Sequence, residues 1–89
     1  MRIEFGPAKD GPNRTTLGIS LALAAQLDWE AALVWVDERV GYEELRMIAL
    51  APETSTLYYV AIVERGNARR IISLRRATRR EAKHYVESI

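Results

Sequence analysis

Residues 44–75 hold three apolar, strand-like segments separated by two turn signals, and this pattern leaves few folds open. Residues 56–64, Thr-Leu-Tyr-Tyr-Val-Ala-Ile-Val-Glu, concentrate β-branched and aromatic side chains and read as the strongest strand of the chain. Gly66-Asn67 follows as a tight hairpin signal, and residues 68–75 read as the last strand. Upstream, residues 44–51 form another strand, ended by the turn Ala51-Pro52-Glu53-Thr54-Ser55. Residues 32–37 form one more, with residues 37–43 around Gly41 as the connecting turn. Short turns make neighbouring strands antiparallel. The core of the domain is therefore a meander of four strands.

The remaining segments are helical or short. Arg2-Ile3-Glu4-Phe5 alternates and fits a first strand, stopped by Gly6-Pro7. Residues 7–17 carry Pro7, Gly11 and Pro12, so the pattern predicts a short or broken helix, with Asp10 as its cap and Pro12 in its first turn. Gly18 is a C-terminal stop. Ser20 caps a second, alanine-rich helix over Leu21–Leu27, ended by Asp28-Trp29-Glu30. Thr78-x-x-Glu81 is a capping box for a C-terminal helix with Ala82, Tyr85, Val86 and Ile89 on one apolar face. The expected architecture is α+β: an antiparallel sheet of about five strands, two N-terminal helices and one C-terminal helix, in one domain spanning residues 1–89.

Composition narrows the chemistry. The 89 residues contain no cysteine, which excludes a disulfide scaffold, a zinc ribbon and a thiol nucleophile. A single histidine excludes a His-rich metal site, and no ligand cluster for a metal or organic cofactor is visible. No apolar run approaches the roughly 20 residues needed to span a bilayer. The first residues lack a signal-peptide pattern, so a cytoplasmic protein is expected.

The net charge of +1 conceals an asymmetry. Residues 1–64 hold five basic and ten acidic side chains. Residues 65–89 hold eight basic ones (Arg65, Arg69, Arg70, Arg75, Arg76, Arg79, Arg80 and Lys83) against Glu81 and Glu87. Arginine suits bidentate contact with phosphate or carboxylate, so a polyanionic partner is expected. The competing reading is a solvated basic helix balanced by the acidic half of the same chain. In a regular strand Arg70 shares a face with Ile72 and Leu74, and Arg69 shares the other with Ile71, Ser73 and Arg75. Arg79 and Arg80 in a helix's first turn oppose the helix dipole, a conflict that a bound phosphate resolves. His84 reads as a surface residue. Glu44, Glu64 and Glu81 are candidate bases that spacing does not separate. Tyr58 and Tyr59 point to opposite faces, one to the core and one available to stack. Trp29 and Trp35 read as core or interface.

A set of motifs then carries a resemblance. These are Ile3-Glu4-Phe5, Pro7-Ala8-Lys9-Asp10, Asn13-Arg14, Gly18-Ile19-Ser20-Leu21, Val36-Asp37-Glu38-Arg39 and Arg46-Met47-Ile48-Ala49-Leu50. Most specific is the block Arg70-Ile71-Ile72-Ser73-x-Arg75-x-Ala77-x-x-x-Glu81. Together they resemble the BrnT family of toxins from bacterial type II toxin–antitoxin pairs. The resemblance implies a RelE-like ribonuclease fold, an RNA substrate, no cofactor, and a BrnA-like antitoxin carrying a ribbon-helix-helix DNA-binding domain. It further implies that operator DNA is reached only through that antitoxin, and that no membrane is involved. Arg46, Arg65, Arg70, Arg75 and Glu81 are the expected catalytic set, with the arginines on phosphate. Arg69, Arg76, Arg79, Arg80 and Lys83 are expected to bind RNA or antitoxin. The chain departs from the family's Asn-x-x-Lys-His-Gly, because Thr16 stands at the lysine and Leu17 at the histidine. Gly6 stands where the family prefers aspartate. The alternative to an active endoribonuclease is an attenuated member that serves as an antitoxin-binding co-repressor.

Overall fold

A computed structural model describes residues 2–38 and 44–89. The chain runs β1 (Arg2–Glu4), α1 (Pro7–Leu17), two 3-10 segments (Leu21–Gln26 and Trp29–Ala31), β2 (Leu33–Val36), β3 (Arg46–Glu53), β4 (Thr56–Arg65), β5 (Ala68–Arg76) and α2 (Arg79–Ser88). The five strands form one sheet in the order β1-β5-β4-β3-β2. The β2–β5 meander is antiparallel throughout, as its short turns require. β1 instead pairs parallel to β5, because α1 and the 3-10 segments carry the chain away before β2 begins. The result is an α+β sheet that is mostly antiparallel.

The hairpin turns sit where backbone chemistry puts them. Gly66 adopts φ +61 between Arg65 and its register partner Ala68. β3 extends through Pro52 to Glu53, further than its turn-like composition suggests, and the reversal falls on Thr54-Ser55. The turn expected over residues 37–43 lies largely outside the described residues. At its entry, the Asp37 N–H donates to the Arg46 carbonyl at 2.8 Å.

α1 is one continuous helix despite Pro12, and its cap is Gly6, not Asp10. The Gly6 carbonyl accepts from the N–H groups of Lys9 and Asp10. Tertiary bonds override the poor propensity. The Asp10 carboxylate accepts from the Ser20 hydroxyl at 2.9 Å and the Leu21 N–H at 2.7 Å. Asn13 is buried and does the work of a missing strand. Its amide donates to the Leu74 and Ile19 carbonyls, and its oxygen accepts from the Leu74 N–H. β1 pairs with only residues 68–70 of β5, so Asn13 satisfies backbone groups further along.

The second expected helix is 3-10. Six residues between the Ser20 cap and Leu27 are too few to sustain an α-helix, and tighter bonds, such as Leu27 N–H to Ala24 O, close the segment. It seats Leu21, Ala24 and Leu27 on a core of Ala49, Ala51, Tyr58, Val60, Ile62, Ile71 and Leu74.

Candidate functional site

A bulge in β5 gathers the site. Register pairs Arg70 with Val63 and Arg75 with Tyr59, four residues apart on β4, so the two arginines share a face. Ile71 opposes Ile62 and Ser73 opposes Ala61, which leaves Ile72 as the extra residue. The same register puts Arg69, Ile71 and Leu74 together on the core side. Simple alternation therefore fails beyond Ile72. Arg70 does not share a face with Leu74, and Arg69 does not share one with Ser73 and Arg75.

Pairing across the sheet aligns Glu4, Arg70, Val63 and Arg46 in one row on the face opposite the 3-10 core. Arg65, two residues from Val63, lies on the same face. Glu44 is a focus of these arginines, a role that its place in the sequence does not reveal. Its carboxylate accepts from Arg65 Nη2 at 2.7 Å and Nε at 3.2 Å. The bond from Arg65, with the nearby charges of Arg65, Arg70 and Arg46, holds the Glu44 carboxyl below its ordinary value. The pair is half exposed and contributes little stability. Among the described residues the Arg70 guanidinium makes no hydrogen bond or ion pair, and it acts on Glu44 through its charge alone.

The other end of this face is organised by α2. Thr78 and Glu81 form the predicted capping box. Glu81 also accepts a bidentate pair from Arg75, at 2.8 Å on each arm, and the Arg75 guanidinium lies 3.9 Å from the Tyr59 ring centroid. The bond from Arg75, and then the Thr78 N–H, lowers the Glu81 carboxyl to about 2. A group so acidic is a poor proton acceptor near neutrality, so Glu81 positions Arg75. His84 is exposed but meets the Trp35 ring edge-on at 5.8 Å, and the Tyr85 hydroxyl donates to the Ala31 carbonyl at 2.6 Å. Helix α2 thus spans from β5 toward β2 through Glu81, His84 and Tyr85. The apolar stripe expected to pack is turned partly outward, leaving Val86 66% and Ile89 79% exposed. Val86, Ala82 and Tyr85 instead line a groove against Pro52, Thr54 and Leu57 at the β3–β4 turn.

The remaining basic residues lie elsewhere. Arg69 pairs with Glu64 at 2.9 Å and stacks over Trp29 on the core side. Arg76 opposes Tyr58, away from the arginine face, while Arg79, Arg80 and Lys83 are exposed on or beside α2. Thr16 and Leu17 are exposed at the end of α1. Among the described residues no three His, Asp or Glu side chains gather as metal ligands, and no helix is long and apolar enough to cross a membrane.

Arg46, Arg65, Arg70 and Arg75 lie on one face of the sheet of this small α+β domain, and guanidinium groups are suited to bidentate contact with carboxylate or phosphate. Residues 5–81 match the family model described as ribonuclease toxin, BrnT, of type II toxin–antitoxin system. The chain belongs to the BrnT family and is a ribonuclease toxin of that system, which implies an RNA substrate and a cognate antitoxin. No curated protein matches it.

Proposed function

We propose that the RNA backbone lies across the β3–β4–β5 face, with Arg46, Arg65, Arg70 and Arg75 on its phosphates. The shared face of Arg70 and Arg75, brought about by the bulge, is the observation that carries this reading. The ribose 2′-hydroxyl gives its proton to water and attacks the adjacent phosphorus, the bond to the 5′-oxygen breaks as that oxygen takes a proton from water, and a 2′,3′-cyclic phosphate is left, with the arginines stabilising the charge that builds on the phosphorane. This route asks no cofactor. Entry of RNA exchanges Glu44 for phosphate at Arg65, an exchange made easy by the exposure of that ion pair.

The partner in this reading is a BrnA-like ribbon-helix-helix antitoxin in the cytoplasm, through which alone operator DNA is bound. An acidic, amphipathic antitoxin segment fits the exposed Arg79, Arg80 and Lys83 beside the apolar stripe of α2.

The test is cleavage of RNA by the purified protein. Arg70→Ala and Arg75→Ala each lower the rate by about 10²–10³. Arg76→Ala and Lys83→Ala, off that face, change it only modestly. Equal losses in all four variants would indicate non-specific charge and remove the assigned site. An inactive parent protein that still binds its antitoxin would favour the co-repressor reading, consistent with Thr16 and Leu17 in place of lysine and histidine.

A further inference from the structure

RNA that lies across the arginine face presents bases as well as phosphates, and unpaired bases are held by stacking on aromatic side chains. Most aromatic rings among the described residues are already engaged. The Arg75 guanidinium lies 3.9 Å from the Tyr59 ring centroid, and Arg69 lies 5.0 Å from that of Trp29 on the core side. Tyr59, which alternation leaves available to stack, is thus occupied by an arginine of its own chain. Tyr58 is buried, Phe5 packs against the core, and the Tyr85 hydroxyl is tied to the Ala31 carbonyl. What remains is the pair Trp35 and His84. Trp35 is half-buried and meets the exposed His84 ring edge-on, with centroids 5.8 Å apart.

Register puts this pair on the arginine face. Trp35 pairs with Ile48, Ile48 with Ala61 and Ala61 with Ser73, a row beside the one through Arg46, Val63 and Arg70. The two rows are two residues apart on β3, a rise of about 7 Å. A backbone that follows Arg70 to Arg46 moves across the strands towards β2, which carries Trp35. Helix α2 delivers the imidazole there. Glu81, His84 and Tyr85 occupy i, i+3 and i+4 on one side of the helix, and Glu81 and Tyr85 anchor it at Arg75 and Ala31. His84 is held between those anchors and backed by the indole, which limits the side-chain entropy that ligand binding costs.

We propose that Trp35 and His84 form a nucleobase subsite: an unpaired RNA base stacks on the His84 imidazole, next to the phosphates on Arg46 and Arg70. The inference rests on the reading that RNA crosses this face. Stacking uses the surface of the ring, so the subsite accepts any base and contributes affinity. Trp35 acts through His84, as its support.

The test is the affinity of single-stranded 2′-O-methyl RNA oligonucleotides, which cannot be cut, with an abasic site placed at each position in turn. Fluorescence anisotropy reads it, and circular-dichroism melts of each variant accompany it. His84→Ala is expected to weaken binding about 5- to 10-fold, the lower end for base–aromatic stacking. His84→Phe, which keeps a ring without its nitrogens, is expected to retain most of the affinity. One abasic position is expected to cost the parent protein a similar factor and to cost His84→Ala nothing further. Parent-like affinity in His84→Ala would overturn the inference, as would an abasic penalty undiminished in that variant at every position. Another refuting result is cleavage lost in both variants with affinity unchanged, which would make the imidazole a proton carrier. So is a His84→Phe protein that melts like the parent yet binds as weakly as His84→Ala. If the parent binds no RNA, or if Arg70→Ala and Arg75→Ala leave its affinity unchanged, the proposed function fails and the subsite falls with it. Arginine-dependent binding without coupling at His84 overturns the subsite alone.

Discussion

Glu81→Gln should loosen the C-terminal helix in a pH-dependent way. Glutamine keeps the shape of the side chain and its ability to accept from the Thr78 N–H, so the change isolates the charge facing Arg75. Glutamate titrates near 4.3 in an unfolded chain, and here the carboxyl is lowered to about 2. At 1.36 kcal/mol per pH unit the ceiling is about 3 kcal/mol. Arg75 is 33% exposed and Glu81 22%, so solvent screening reduces the expected cost to about 1–2 kcal/mol at neutral pH. In a domain of this size that lowers the melting temperature by roughly 5–15 °C. The sign follows from the direction of the shift. A carboxyl depressed by folding stabilises the native state fully above its unfolded pKa and loses that contribution as pH falls through its folded pKa. The gap between parent and variant should therefore be complete at pH 6, shrink below about pH 4 and vanish near pH 2. Circular-dichroism melts at several pH values measure it. Because no residue of α2 is buried, amide exchange should accelerate in α2 before it does in the sheet. A deficit at neutral pH that persists unchanged to pH 2, or no deficit at pH 6, would refute the clamp.

Two further outcomes are expected. Asn13→Ala leaves the buried N–H and carbonyl of Leu74 without partners and should cost about 2–4 kcal/mol in chemical denaturation, one of the largest single losses outside the apolar core. Thr16→Lys with Leu17→His should raise RNA cleavage by adding a cation and a group that titrates near neutrality. Leu17 is 41% exposed, so the double change should shift stability by no more than about 0.5 kcal/mol, and a folded variant without added activity would count against those positions.

What could be read from the sequence was local. The strands around Tyr58–Tyr59 and Ile71, the Gly66 turn, the Gly18 stop and the Thr78–Glu81 box each carry their signal within a few residues. The parts that needed tertiary information were less legible. Pro12 argues against a helix until Asn13 and Asp10 acquire partners elsewhere in the chain. The stripe Ala82, Tyr85, Val86 and Ile89 has the right spacing for a buried face, yet Glu81, His84 and Tyr85 make the contacts that hold the helix. The arginine-rich end of the chain suggested where to look for the site. It did not show that Arg69 turns to the core side, or that Glu44 and Tyr59 meet the arginines. Those contacts depend on strand register, which joins residues far apart in sequence.

The extra residue in β5 has a consequence for insertions and deletions. Ile72 is the one residue between Arg70 and Arg76 without a register partner on β4. Removing it would leave Arg70 and Arg75 four positions apart and Ile71 and Leu74 two apart, so each would keep its present side in a regular strand. Deleting any residue from the paired part of β4 has no such cancellation and would turn one half of that strand inside out. The inside–outside code of this domain therefore has a spare position within its arginine strand, where the chain can change length and keep its phase.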